Sequence, residues 1–412
     1  MKKNTRLALY LCSALALLIS CLGASLVQTG AGSTQVQELT IASPSGRTMS
    51  ALLLRPSGAT PATPAPTIVL SDGTWNNKEM QDANYVELAR RGYVVLSIDQ
   101  YSHGNSQNLT RAEFPDVWAL GINDAIEYAA TLPFVDKSRI GVSGHSNGAL
   151  SANLAVVHDN QRPQPLISSV VLVANDAFST DDAGAWTTIY GHRDVAIIAD
   201  RYDEFFFNEG NLEGKPATQP ARDFLSSPEA RRFLSFGLEP PAGFVATSGV
   251  VSSQALDGTT AHRVISMIDG EHALATINPA AVSALIDFFG DSLHPPRNLP
   301  GSDQIWGAKL AFNALGLVAL GVLITLLAGT LMRCNAPAPQ VAPLTRLTGR
   351  RRVLWWVFQV VGVAFSAFSY LWIAGNTTVM GLALQLGPRE WRSAPYSSSD
   401  CGPPRTESSS WS

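Results

Sequence analysis

Residues 138–149 combine residue types that suit nucleophilic catalysis. They contain Gly144-His-Ser146-Asn-Gly148, a G-x-S-x-G pattern with a short apolar run before it and an apolar, helix-like segment after it. A strand, a sharp turn and a helix in that order raise a serine Oγ above a sheet edge, while the glycines let strand and helix pass closely. Backbone N–H groups at the helix start can then face a developing oxyanion. The same pattern also fits an ordinary glycine-rich turn. The predicted elements around it must therefore distinguish a catalytic turn from a structural one.

Those surrounding elements alternate between apolar strands and helices. Residues 36–56 predict two strands joined by a turn. Further strands are predicted at 67–70, 93–98, 138–143, 166–174, 195–199 and 263–268, and helices at about 79–91, 113–132 and 280–289. This alternation predicts an α/β domain with a mostly parallel sheet and helices on both faces. Residues 204–259 interrupt it with Phe205–Phe207 and two prolines, and they predict a lid-like insertion at the carboxyl ends of the strands.

The composition excludes several classes of protein. The chain has 412 residues and a formal net charge of −4. That charge offers no basic footprint for nucleic acid. None of its four cysteines lies between residues 30 and 333, so no disulfide framework and no cysteine metal site is expected in that range. No histidine pair has metal-ligand spacing and no phosphate loop is present, so we predict no metal and no cofactor.

Three apolar segments predict a multi-pass membrane protein. Residues 1–28 have a basic start and then an apolar stretch long enough for a signal anchor. An alternative is a lipoprotein-type signal in which Cys21 of Leu18-Ile-Ser-Cys21 is lipidated. Residues 309–332 and 353–374 predict two further transmembrane helices.

The loop at 333–352 holds five arginines, which predict a cytoplasmic position. The domain at 36–296 is then expected on the extracytoplasmic side. The tail at 388–412 is rich in serine, proline and arginine, which is typical of disorder; a truncated or shifted reading frame is the alternative.

At this point the chain resembles the α/β-hydrolase superfamily, and more loosely its dienelactone-hydrolase-like and esterase-like bacterial members. The resemblance covers about 36–292. It rests on Gly144-His-Ser-Asn-Gly148, on Asp99-x-x-x-His-Gly-x-Ser106, on the Asp-Gly-Thr turn at 72–74, and on the chain order serine, acid, histidine. It implies a catalytic triad with Ser146 as nucleophile.

The resemblance also implies places for the acid and the base. Asp203 occupies the acid's position after the strand at 195–199, with Asp200 where the family usually has glycine; Asp176, Asp200 and Glu204 are rival acids. His272 occupies the base's position after the strand at 263–268. The competing histidines are His145, His158, His192, His262 and His294.

The oxyanion hole implied by the family uses two backbone N–H groups, those of Asn147 and Thr74. Here the chain departs from the family, since Ser71-Asp72-Gly73 stands where His-Gly is common. We expect Trp75 and His145 to line the substrate pocket.

The leading hypothesis is a membrane-anchored serine hydrolase that cleaves an ester or similar acyl compound through an acyl-enzyme. A peptidase or lipase with the same triad is the alternative among enzymes. A haloalkane dehalogenase or epoxide hydrolase is disfavoured, because those relatives have aspartate where Ser146 stands. The rival from another class is a non-catalytic binding domain of the same fold. Neither the substrate nor the oligomeric state follows from the sequence.

Overall fold

The computed structural model describes residues 3–44, 46–110, 113, 117–180, 185–208, 219–256, 258–335 and 347–375. These residues form two compact units. One is Ile19–Ala314, and the other contains the described residues of 1–18 and 315–375.

The unit Ile19–Ala314 is built on a nine-stranded sheet within the described residues. Its strands are β1 (Thr34–Ala42), β2 (Thr48–Pro56), β3 (Ala65–Ser71), β4 (Val94–Ile98), β5 (Val135–His145), β6 (Ile167–Val173), β7 (Asp194–Asp200), β8 (Ser252–Leu256) and β9 (Thr259–Ile268). They lie in the order β1-β2-β4-β3-β5-β6-β7-β9-β8. The pairings among β4, β3, β5, β6, β7 and β9 are all parallel, whereas β1 with β2, β2 with β4, and β8 with β9 are antiparallel. The prediction of a mostly parallel sheet is confirmed.

Helices cover both faces of this sheet. The described α-helices are α1 (Lys3–Gln28), α2 (Asp82–Arg90), α3 (Gly121–Thr131), α4 (Asn147–Asp159), α5 (Pro228–Leu234), α6 (Pro279–Leu293), α7 (Trp306–Asn335) and α8 (Gly349–Gly375). One apolar core lies between the sheet and α3, α4 and α5, and a second lies between the sheet and α2, α6 and the start of α7. Because β3 and β4 are enclosed on both faces, every residue in them is buried, which explains their unbroken apolar sequences.

Two elements differ from the sequence-based expectation. The insertion predicted at 204–259 contains β8, an edge strand of the sheet. None of the residues of β8 is fully buried, so it lacks the apolar pattern that identifies the inner strands. The helix predicted at 113–132 is a 3-10 turn at Trp118–Leu120 followed by α3.

Among the described residues, two helical segments are long and apolar enough to cross a membrane, Asn4–Gln28 and Trp306–Met332. The third predicted span, 353–374, falls within α8 and remains a prediction. Most of the basic loop at 333–352 and the whole tail at 388–412 lie outside the described residues. Cys12 and Cys21 are free and exposed on α1.

Candidate active site

The turn after β5 holds Ser146 in a strained conformation. Its φ of 57° and ψ of −123° lie outside the regions that ordinary L-residues favour, and α4 begins at the next residue. A β-carbon on Gly144 would stand 2.2 Å from the backbone of Gly148, and one on Gly148 would stand 2.4 Å from the carbonyl oxygen of Asp72. The two glycines therefore let strand, helix and the end of β3 meet behind the serine.

Three side chains from three loops form one line of hydrogen bonds. The Oγ of Ser146 lies 2.9 Å from Nε2 of His272, and Nδ1 of His272 lies 2.8 Å from Oδ2 of Asp203. Ser146 follows β5, Asp203 follows β7 and His272 follows β9, so all three lie at the carboxyl edge of parallel strands. All three are buried. This arrangement is suited to moving a proton from the hydroxyl to the imidazole while the carboxylate holds the ring.

Asp203 is fixed by the loop in which it lies. Its Oδ1 accepts hydrogen bonds from the N–H groups of Phe205 and Phe206, both at 2.8 Å. The rival acids lie elsewhere: Oε2 of Glu204 accepts the backbone N–H of His272 at 3.3 Å, and Oδ2 of Asp176 accepts the N–H of Phe207 at 3.4 Å. Among the described carboxylates, Asp203 is the one within hydrogen-bond distance of the His272 ring.

Aromatic rings enclose the imidazole of His272. Phe206 stacks on it with centroids 5.4 Å apart, and Phe205 meets it edge-on at 4.9 Å. The sequence alone places these phenylalanines only in an insertion. Their position directly after the proposed acid is the feature that could have placed them here. They limit water at the imidazole and restrict its rotation.

His145 does not line a substrate pocket as expected. Its ring is buried, and Nε2–H donates to the backbone carbonyl of His272 at 2.7 Å. Burial, and then the neighbouring His272, lower the pKa of His145 to about 4. His145 is therefore neutral near pH 7, and it supports the loop that carries His272. The centroid of the His145 ring lies 4.8 Å from that of the His272 ring.

The two expected oxyanion donors lie beside Ser146. A β-carbon on Gly73 would stand 3.3 Å from Cβ of Ser146, so the 72–74 backbone adjoins the elbow. The Asn147 side-chain amide donates to the hydroxyl of Thr74 and links the two segments. In the part of the chain that the structure describes, the N–H groups of Asn147 and Thr74 donate to no other residue. Both are available to an incoming oxygen.

Trp75, the other residue expected in the substrate pocket, is 81% exposed and has a φ of 61°. The turn after β3 projects its indole outward, so no protein pocket encloses it. Its place beside Thr74 leaves it at the rim of the site.

Two further carboxyl groups are buried close to Ser146, His272 and Asp203. Asp72 accepts the backbone N–H of Gln100 at 3.0 Å, and burial raises its pKa well above the usual value. Asp200 is fully buried, and neither of its side-chain oxygens has a hydrogen-bond partner among the described residues. Burial, and then the charge of Asp203, raise the pKa of Asp200 to about 7.

The Asp99-to-Ser106 motif is an internal brace. Asp99 is buried and accepts from the N–H of Lys78 at 2.7 Å, from its Nζ at 3.1 Å and from the N–H of Asn105 at 2.9 Å. Ser106 Oγ–H donates to the Asp99 carbonyl at 2.7 Å. Asp99 therefore joins the loops after β3 and β4 and supports the segment that carries Thr74. Within the described ranges, no group of three or more His, Cys, Asp or Glu side chains could hold a metal ion.

Residues 80–205 match the model of the prolyl oligopeptidase family. The matched segment includes Ser146 and Asp203 and ends before His272. No curated protein matches the chain.

Solved structures that match include a hypothetical protein from Pseudomonas aeruginosa, with 28% identity over 34% of this chain and 43% of that chain, at a TM-score of 0.30. An epoxide hydrolase from Vigna radiata matches with 12% identity over 35% of this chain and 42% of that chain, at 0.29. An esterase from Pyrococcus furiosus matches with 14% identity over 64% of this chain and 96% of that chain, at 0.43. The chain thus spans less than half the length of the first two. The mostly parallel sheet with helices on both faces is the α/β-hydrolase fold, and residues 80–205 within it are similar to the prolyl oligopeptidase family.

Proposed function

We propose that the chain is a membrane-anchored serine hydrolase that cleaves an ester or similar acyl compound through Ser146, His272 and Asp203. The observation that carries the proposal is the continuous line from Oγ to imidazole to carboxylate, at 2.9 and 2.8 Å, assembled from three separate loops. A binding domain that does no chemistry has no need of this geometry or of the strained φ at the serine.

In the proposed reaction, His272 Nε2 accepts the proton of Ser146 as Oγ attacks the acyl carbonyl. The tetrahedral oxyanion is stabilised by the N–H groups of Asn147 and Thr74, with the positive end of α4 behind the first of them. Protonated His272 then donates to the leaving group, and the acyl-enzyme forms. Water activated by the same imidazole releases the acid. Asp203 stabilises the cationic imidazole throughout.

Replacement of the nucleophile tests the proposal. Ser146→Ala should abolish turnover of a p-nitrophenyl acetate-type ester and labelling by a fluorophosphonate, leaving only the small rate due to binding and the oxyanion donors. Ser138→Ala, on the same strand but exposed, is the matched control and should retain both. Wild-type turnover or labelling in Ser146→Ala would refute the assignment.

A peptidase is the second candidate, and the match to the prolyl oligopeptidase family favours it. The same triad can cleave an amide if the leaving nitrogen is protonated by His272. Comparing kcat/KM for a peptidyl p-nitroanilide and for an ester with the same acyl part separates the two.

A lipase is an ester hydrolase whose substrate is held in a membrane or droplet. Hydrolysis of long-chain esters would identify it.

The proposed location of the domain is extracytoplasmic. The basic residues before the first span and the arginines of 333–352 support it, because each resists translocation in a short segment. Cleavage and lipidation at Cys21 would leave the domain on the same side.

A further inference from the structure

The direction of α2 shows which of its ends lies at the carboxyl edge of the sheet. Gln81, which precedes α2, donates through Nε2 to the carbonyl of Ser71 at the end of β3. The helix begins at Asp82 and ends at Arg90, and β4 starts at Val94. In such a crossover, the helix runs antiparallel to the two strands that it connects. Asp82 therefore lies at the carboxyl edge of the sheet, where the site opens, and Arg90 lies at the opposite edge.

The first residues of α7 pack along α2 and run toward the carboxyl edge of the sheet, where the candidate site lies. The N–H groups of Ile305 and Trp306 donate to Oε1 of Glu87 at 2.5 and 3.0 Å. One helical turn later, Nζ of Lys309 lies 2.6 Å from Oδ1 of Asp82. Because Glu87 is past the middle of α2 and Asp82 is its first residue, α7 advances toward the carboxyl edge. The chain therefore leaves this unit at the edge where Ser146, Asp203 and His272 lie.

The end of α1 packs against the start of α7 and runs antiparallel to it. Ser20 Oγ–H donates to the carbonyl of Phe312 at 2.7 Å, and Val27 packs on the core that contains Trp306. Sequence numbers fall on α7 as they rise on α1, so α1 enters this unit from the carboxyl edge. β1 then begins at Thr34, opposite Pro56, at the far edge. Within the unit Ile19–Ala314, the chain thus enters through α1 and leaves through α7 at the carboxyl edge of the sheet.

That side also carries exposed apolar side chains. Five follow the carboxyl ends of β3, β7 and β9, in the loops that carry Thr74, Asp203 and His272, and we call them the apolar rim: Trp75 (81% exposed), Tyr202 (61%), Phe205 (50%), Leu274 (47%) and Ile277 (42%). Exposed apolar residues that cluster at one edge differ from the scattered ones of an ordinary surface. The indole and phenol have the amphipathic character that suits a lipid–water boundary.

The charges between these side chains are largely balanced or acidic. Arg201 pairs with Asp269 at 2.8 Å, and Glu271 is exposed. Among the described residues, no excess of basic side chains accompanies the apolar rim, so attraction to anionic headgroups is not expected to drive the contact. A zwitterionic lipid surface fits this edge best.

We propose that the carboxyl edge of the sheet rests on a lipid bilayer, with the apolar rim at the headgroup boundary, and that Ser146 acts on acyl esters presented from that bilayer. The first part stands on the paths of α1 and α7 and on the apolar rim. The second part rests on the proposed function as well. An acyl chain could then enter the site from the lipid without crossing water, since the apolar rim lies in the loops that carry Thr74, Asp203 and His272.

A fluorescent label tests the contact without requiring catalysis. In a background with its four cysteines replaced by serine, the full chain carries a polarity-sensitive NBD label at Ile277→Cys or at Leu238→Cys, in phosphatidylcholine vesicles. Leu238 is 58% exposed and serves as the control, because nearby Phe236 packs on Arg263, whose guanidinium donates to Gly191 just before β7 at the opposite edge.

We expect the label at 277 to emit at shorter wavelength and to be quenched by shallow nitroxide-labelled phosphatidylcholine at least roughly twofold more than the label at 238. Equal quenching at the two positions, or stronger quenching at 238, would overturn the bilayer contact whatever the enzyme's activity.

A kinetic test addresses the substrate class. Tyr202→Ser/Ile277→Ser should lower the hydrolysis of a long-chain ester embedded in phosphatidylcholine vesicles by roughly tenfold, because binding at the interface scales with buried apolar area. Its turnover of a soluble short-chain ester should be unchanged, and Leu238→Ser should change neither. Equal activity of the double variant and wild type on the embedded ester would overturn the lipid-substrate proposal. Absence of turnover on both esters in wild type would instead refute the proposed function and leave the labelling result to stand alone.

Discussion

The burial of Asp200 leads to a quantitative prediction about stability, because its carboxyl group has no hydrogen-bond partner among the described residues. The pKa of Asp200 rises from a usual 3.8 to about 7 in the folded protein. Between pH 3.8 and about 7, the carboxyl group of Asp200 is therefore protonated in the folded protein and ionised in the unfolded chain. Stability falls as the pH rises through that window and changes no further above it. A gap of roughly 3 pH units at about 1.4 kcal/mol each gives a loss of about 4 kcal/mol at pH 8 relative to strongly acidic solution.

Asp200→Asn keeps the shape of the side chain and removes its charge. Because part of the window lies below pH 5, we expect the variant to gain about 2.5 kcal/mol more over wild type at pH 8 than at pH 5. For a domain of this size, that is a difference of roughly 5–10 °C in Tm. Thermal unfolding of the detergent-solubilised full chain, followed by tryptophan fluorescence at both pH values, measures it.

The matched control is Asp269→Asn, whose side chain is 79% exposed and pairs with Arg201. It should change stability by less than about 1 kcal/mol, with little dependence on pH across this range. A gain for Asp200→Asn that is the same at pH 5 and pH 8 would refute the reasoning, because it would mean that the buried carboxyl does not change its charge in this window.

Three further predictions concern catalysis and topology. Asp203→Asn should lower kcat by several orders of magnitude, on the order of 10⁴-fold, because the catalytic imidazole loses its fixed tautomer; Asp176→Asn should be much milder, and the reverse ranking would place the acid after β6. His145→Ala should lower kcat roughly 2- to 10-fold at constant KM, the effect of one lost hydrogen bond, and His145→Gln should restore most of it; a change confined to KM would return residue 145 to the substrate pocket. In whole cells, a cysteine placed within 150–290 should react with an impermeant maleimide and one within 340–348 should not, and the opposite pattern would put the domain in the cytoplasm.

The sequence was informative where one local pattern determines the backbone. The G-x-S-x-G turn requires two close backbone approaches and a strained residue, and the structure has all three at Gly144, Ser146 and Gly148. Apolar runs likewise identified β3 and β4, because both faces of those strands are covered.

Other features depend on contacts between residues distant in the chain. β8 was missed because it pairs along one edge only and is half exposed. The outward position of Trp75 and the packing of Phe205 on His272 follow from loop conformations that no periodicity encodes. The direction in which α7 leaves the unit depends on Lys309 meeting Asp82. Nothing in either local sequence announces that pairing.

The backbone of Ser146 also has a consequence for how this protein can change over generations. A left-handed conformation of this kind costs on the order of 1–3 kcal/mol in any residue with a β-carbon, and glycine adopts it freely. Mutation to glycine at position 146 would therefore remove the proposed nucleophile and make the domain more stable at once. Selection for folding alone would therefore favour glycine at this position, and under the proposed function the serine persists only while its chemistry benefits the cell.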